Sequence, residues 1–176
     1  MATPASTLAQ LATDCSKDGL TPLNGEKIAH LIAQQFKVHE DEVAILRIEE
    51  TRLIFVYPIK LHDVGYIPLN ATASVAGRTA ASKKPEVINN FAQTRHVSVF
   101  ESVELTTNQH MVLDDKHHDK PVIQKLMSVP VLKEGKSVGV VQVCRKGLTG
   151  PSSGADFHPE ELQKLVSACA DIAKCF

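Results

Sequence analysis

No stretch of this chain is long and apolar enough to span a bilayer as a helix, so no membrane-spanning helix is expected. The N-terminus has no basic region followed by an apolar run. Asp14, Lys17 and Asp18 interrupt it, which argues against a secretory signal. Charge of one sign is also missing. The formal net charge is −1, with basic and acidic residues interspersed, so there is no electrostatic footprint for nucleic acid. Cysteines are few and scattered. Cys15, Cys144, Cys169 and Cys175 lack metal-ligand spacing and read as the reduced thiols of a cytoplasmic protein. There is no Gly-rich phosphate loop, no zinc-protease pattern, no paired-carboxylate signal and no nucleophile beside a base in sequence. An enzyme is therefore not expected. Internal repeats and low-complexity tracts are absent as well.

What is present is a folding pattern. At 176 residues and 43% apolar content, the chain suffices for one domain with short extensions. Its organising stretch is Leu126 to Lys146. Two β-branched runs, Met127 to Leu132 and Val138 to Cys144, flank Lys133-Glu134-Gly135-Lys136, and this predicts a hairpin. Val140 and Val141 point to opposite faces, yet both are apolar, so the strands are expected at the centre of a sheet covered on both sides. Pro130 lacks a donor and is expected at a bulge or an edge.

The N-terminal part predicts two amphipathic helices. One carries Leu8, Leu11, Ala12 and Cys15; the other spans roughly Glu26 to Phe36, with Thr21 to Gly25 as a connector. A strand pair follows, Glu42 to Ile48 and Leu53 to Ile59. Lys60 to Asn70 reads as a loop or a short strand, Thr72 to Ser82 as a closely packed helix, and Glu86 to Asn89 as a short strand. Asn90 to Lys120 is polar and irregular, as functional loops of this length often are. Pro121 to Lys125 is expected to form a helical turn. After a Gly/Pro/Ser-rich loop, Pro159 opens the clearest helix, with Glu160 and Glu161 at its positive end. Its stripe runs to Phe176, so any signal is expected to leave through a partner protein.

The order of these elements resembles the GAF domain family over Glu26 to Phe176, with residues 1–25 as an N-terminal helix and connector. Three pieces carry the resemblance: Ala76-Gly77-Arg78-Thr79-Ala80 followed by Lys84-Pro85 and Val87 to Asn90; Leu126 to Val131 with Gly135 and Val138 to Val143; and Asp156-Phe157-His158-Pro159-Glu160-Glu161-Leu162. The resemblance implies an α+β, PAS-related fold. It has a central antiparallel sheet of about six strands, helices on both faces, and the terminal helices on one side. It further implies a small-molecule pocket, with Asn90 to Lys120 as its lid, and a homodimer through the terminal helices.

The family's cyclic-nucleotide signature is matched here by Arg145-Lys146, Phe157 and Glu161-Leu162. Lys146 and Glu161 retain the signature's ion pair on this reading, while Arg145 and Leu162 break it. No cysteine lies between Cys15 and Cys144, which excludes covalent bilin at the family's usual place and argues against sulfoxide reductase chemistry, since that needs a thiolate and a resolving thiol.

On the same model the candidate ligand residues are Phe55 and Tyr57 as an aromatic wall on one strand face; Arg78, Arg95 and His96 as positive charge for a carboxylate or phosphate; Asn89 and Asn90 at a strand end; and Gln124 and Ser128 where the chain feeds the central strand. A metal set of His110, His117 and Asp119 and a haem ligand at His110 or His96 are less favoured than a solvated polar loop, because the adjacent His117 and His118 side chains diverge. No metal is expected and the cofactor is unknown. The functional expectation is a cytoplasmic small-molecule sensor. The rival readings are a dimerisation scaffold with a filled pocket and, less favoured, a redox or hydrolytic enzyme on the same scaffold.

Overall fold

The computed structural model describes residues 4–63, 65–70, 74–91, 104–105 and 121–176. In chain order the elements are helix α1 (Pro4–Cys15), α2 (Pro22–Phe36), strands β1 (Val43–Glu49), β2 (Arg52–Tyr57) and β3 (Gly65–Pro68), helix α3 (Val75–Ser82), strands β4 (Glu86–Ile88), β5 (Glu104–Leu105), β6 (Val122–Lys133) and β7 (Lys136–Gly147), and helix α4 (Pro159–Ile172). Among the described residues the sheet has seven antiparallel strands in the order β4-β6-β7-β1-β2-β3-β5, the last only two residues long.

The β6–β7 hairpin sits where the valine-rich runs require. Glu134 and Gly135 both have positive φ, 52° and 75°, as a two-residue turn that matches the twist of its strands demands. The two strands then separate two cores. Met127, Val129, Val131, Val141 and Val143 face a layer built by α1, α2 and α4. Leu126, Val140 and Cys144 face the opposite layer, where α3 supplies Val75, Ala76 and Ala80. Each fully buried aliphatic side chain contributes about 1.5–3 kcal/mol, so apolar residues on both faces are what hold the three layers together. Pro130 is an edge residue in effect. β4 pairs only with Leu126 to Ser128, and the ladder beside Pro130 has ended on that side.

Three local expectations change. Thr21 to Gly25 is not a connector: Thr21 caps α2 by accepting from the Asn24 amide at 3.2 Å, and Pro22 stands in its first turn. Gly25 is helical because α2 lies close on β2; a Cβ there would come within 2.7 Å of Val56 Cγ1. Pro121 to Lys125 is not a helical turn. β6 begins at Val122, and Val122 and Ile123 pair with Gly147 and Lys146, with a register shift before Lys125. Cross-strand bonds outweigh the helical preference of so short a segment. The strand pair Leu53 to Ile59 ends early, at Tyr57, and a bulge against β1 sets Tyr57 opposite Ile45 and Phe55 opposite Leu46.

α1 rests on its own chain. Leu8, Ala12 and Cys15 join the cluster that holds Leu165, Ala168, Cys169 and Ile172 of α4. The irregular segment from Asn90 to Lys120 lies outside the described residues except for Asn90, Phe91 and β5. Phe91 follows β4 at one sheet edge, and β5 stands at the other.

Candidate functional site

Among the described residues the α3 face of the sheet carries a buried apolar cluster, and a group of three polar side chains lies beside it. α3 can approach the sheet because its inner positions are small, Ala76 and Ala80, and because Ser74 caps it by accepting from the Gly77 amide at 3.1 Å. That approach brings Thr79 down onto β6. Its Oγ1 donates to Ser128 Oγ at 2.8 Å, and Gln142 Nε2 donates to the same oxygen at 3.3 Å. Ser128 and Gln142 face each other across the β6–β7 ladder. Thr79 is 1% exposed and Ser128 and Gln142 are 0% exposed, so these groups are withdrawn from bulk water, where polar side chains are held by hydrogen bonds. Leu126, Val140, Cys144, Phe55 and Phe91 belong to the buried apolar cluster on the same face. Burial pushes the Cys144 thiol far up, so it is a neutral group on this face.

The candidate residues separate accordingly. Phe55 and Ser128 lie on this face. Tyr57 does not: the bulge beside Val56 breaks the two-residue alternation, and Tyr57 packs with Val56 against the α2 side. Arg78 is half-buried and its Nη2 pairs with Glu86 Oε1 at 2.9 Å. Asn89 spends both ends of its amide on one backbone unit. Its Nδ2 donates to Phe157 O at 3.2 Å and its Oδ1 accepts from Phe157 N at 2.8 Å. Asn90 is exposed. Gln124 is buried and donates to Gly147 O at 3.0 Å, closing the end of the β6–β7 ladder. Arg95 and His96 lie outside the described residues, as do His110, His117, His118 and Asp119. Among the described residues no three His, Cys, Asp or Glu side chains converge as a metal site.

Sequence reasoning missed Thr79 and Gln142 as site residues. The available signal was a glutamine inside an otherwise apolar strand, Val138 to Cys144. It also missed a clamp on the segment before α4. Lys125, itself buried, donates to Gly154 O and pairs with Asp156 at 2.9 Å. Arg145 donates to Ala155 O at 2.7 Å, pairs with Glu161 at 2.8 Å, and lies over the Phe157 ring at 4.1 Å. The expected Lys146–Glu161 pair is therefore replaced. Adjacent strand residues point to opposite faces, so Arg145 reaches α4 while Lys146 turns away to Asp41, at 3.0 Å.

That surface pair carries a pH signature. Burial alone would raise the Asp41 carboxyl, but the hydrogen bond and charge of Lys146 outweigh it and hold the pKa below its ordinary value. The pair's contribution is complete above the unfolded carboxylate value of about 3.9 and is lost as pH falls through the lower folded value. Asp41 is largely exposed, so Asp41→Asn is expected to cost at most about 1 kcal/mol at pH 7 and progressively less as the carboxyl is protonated below about pH 4, read by denaturant titration across that range.

Two surface concavities lie away from the polar group. One of about 490 Å³ runs between α1 and α2, lined by Leu11, Leu31, Lys27 and His30. The other, of about 620 Å³, is bordered by Arg52, Tyr66 and Leu69 near the β1–β2 turn.

The GAF domain family model matches residues 26–176. The chain belongs to the GAF domain family. No curated protein matches it. Among solved structures, the GAF domain of an Acinetobacter phosphoenolpyruvate-protein phosphotransferase is similar with a TM-score of 0.66 at 16% identity, covering 96% of this chain and 89% of that one. Residues 122 to 287 of a methyl-accepting chemotaxis protein are similar with a TM-score of 0.60 at 13% identity, covering 94% and 93%. The free methionine-R-sulfoxide reductase of Neisseria meningitidis, in complex with its substrate, is similar with a TM-score of 0.58 at 14% identity, covering 100% and 92%. At these identities the likeness is one of fold. It extends across α1, which lies before the residues the family model matches. The layered α+β architecture of this GAF domain is that of its neighbours, and no described helix is long and apolar enough to cross a membrane.

Proposed function

We propose that this GAF domain is a cytoplasmic sensor that captures a small polar molecule against the α3 face, acts as a homodimer, and passes its signal to a partner protein. The observation that carries the reading is the Thr79–Ser128–Gln142 group. Three hydrogen-bonding side chains stand together on a face whose buried cluster is otherwise aliphatic and aromatic among the described residues. Such convergent polar groups in an apolar setting suit the recognition of a small ligand. The apolar Leu11 and Leu31 in the α1–α2 concavity support association through the terminal helices. Signalling neighbours such as the chemotaxis protein favour the same role.

The enzyme reading rests on the reductase neighbour. Thiol chemistry at this face would fall to Cys144, which is fully buried, with burial raising its pKa. That favours sensing over catalysis.

Native mass spectrometry of freshly purified protein, followed by denaturation, tests the proposal. The expected result is a dimer that releases a defined non-covalent mass. Gln142→Leu, which keeps the strand and removes the donor, is expected to reduce ligand retention at least tenfold with the far-UV spectrum unchanged. Bare chains that stay unshifted by nucleotides and amino acids would favour the scaffold reading, and methionine sulfoxide turnover surviving removal of metals would favour the enzyme.

A further inference from the structure

Cys15 and Cys175 stand at opposite ends of the sequence, and the fold brings them to one place. Cys15 closes α1 on the stripe that also carries Leu8 and Ala12, and all three face the same buried cluster. The C-terminal turn, Ala173–Cys175, lies across this end of α1. The Cys175 thiol donates to Ala12 O at 3.3 Å, and Lys174 Nζ donates to Thr13 Oγ1 at 2.7 Å. Ala12 and Cys15 are three apart on one helix, so they are neighbours on its surface, about 4.5 Å apart along the axis. The Cys175 sulfur, held on the Ala12 carbonyl, therefore abuts the turn from which the Cys15 side chain projects. The Cys15 thiol also acts electrostatically on Cys175, adding to the rise that burial produces. The remaining cysteines are placed differently: Cys169 faces the core from α4, and Cys144 lies on the other side of the sheet.

We propose that Cys15 and Cys175 form a reversible dithiol–disulfide pair that ties α1 to the C-terminal turn under oxidising conditions. The oxidant is a low-molecular-weight disulfide. Cys15, next to the exposed residues Ser16 to Asp18, reacts first. Its thiol gives its proton to solvent, the thiolate attacks one sulfur of the oxidant, and a thiolate leaves and is protonated. Cys175, deprotonated in turn, attacks the Cys15 sulfur of the mixed disulfide and expels the second thiolate. Two protein thiols lose two electrons, and one small disulfide becomes two thiols. Because burial raises both thiols, the reaction is slow at neutral pH and accelerates as pH rises.

Incubation of the full chain with oxidised glutathione, followed by alkylation and non-reducing peptide mass spectrometry, tests this. The expected product is a Cys15–Cys175 cross-link within one chain, two hydrogens lighter than the dithiol and reversed by dithiothreitol. Its thermal midpoint is expected to rise by several degrees, since the bridge closes nearly the whole chain. Cys169→Ser is expected to leave the cross-link intact, and Cys15→Ser to abolish it. A glutathione adduct that persists without cross-linking, a link between two chains, pairing with Cys169, or no modification would each overturn the proposal. The wild-type measurement stands without any variant.

Discussion

Replacing Gly139 with alanine is expected to destabilise the fold by about 3 kcal/mol or more. Gly139 lies in β7 between two partners, opposite Arg47 of β1 and Val131 of β6. A Cβ there would land on the Leu46 carbonyl oxygen and on the ring of Phe176. The ring could swing aside, but the carbonyl belongs to the neighbouring strand. β1 and β7 would have to separate, and with them the centre of the sheet. Gly150→Ala is the control. It lies in the loop after β7 with nothing near its added methyl, and is expected to stay within about 0.5 kcal/mol of the parent. Urea titration followed by circular dichroism measures both. Equal midpoints for the two variants would show that the β1–β7 spacing is not the constraint described here.

The second large effect is expected at Arg145. Arg145→Ala removes three interactions together: the bond to Ala155 O, the ion pair with Glu161, and the stacking on Phe157. The Arg145 and Glu161 side chains are 16% and 22% exposed, so the pair is partly shielded and Glu161 is left without its cation. The expected loss is about 2–3 kcal/mol, between that of a surface pair and that of a fully buried one. Arg145→Lys is expected to recover less than half, because an ammonium cannot stack and fork at once. Hydrogen exchange gives a readout that global stability does not. The amides of residues 154–158 are expected to exchange faster in Arg145→Ala than those of β1 do, since the clamp holds that segment specifically. A uniform change across the chain would reduce Arg145 to a general packing residue.

These two sites show what pattern reading can and cannot see. Gly139 is visible as a glycine in a valine-rich strand, but its reason, a neighbouring carbonyl, is not in the sequence. Arg145 and Lys146 are adjacent letters with the same charge. Sequence reasoning chose Lys146 for Glu161, whereas strand alternation hands that partner to Arg145. Tyr57 fails similarly, since alternation predicts its face until a bulge shifts the count by one. Thr21 and Pro22 carry a helix-start signal that the connector reading passed over, and the close contact with Val56 gives the reason for Gly25 within the helix.

The sequence by itself determined the hairpin and its turn, the double coating of its strands, the helix opened by Pro159 and the family to which the chain belongs. These follow from local φ preferences and from the periodicity of apolar residues, both of which are written in neighbouring letters. Only the tertiary structure decided which polar side chains meet. Thr79 joins Ser128 and Gln142, Asn89 holds Phe157, and Cys175 reaches the helix of Cys15. Each of those pairings depends on distant segments closing on one another, and a hydrogen bond is decided within tenths of an ångström, a distance that only the packed layers set.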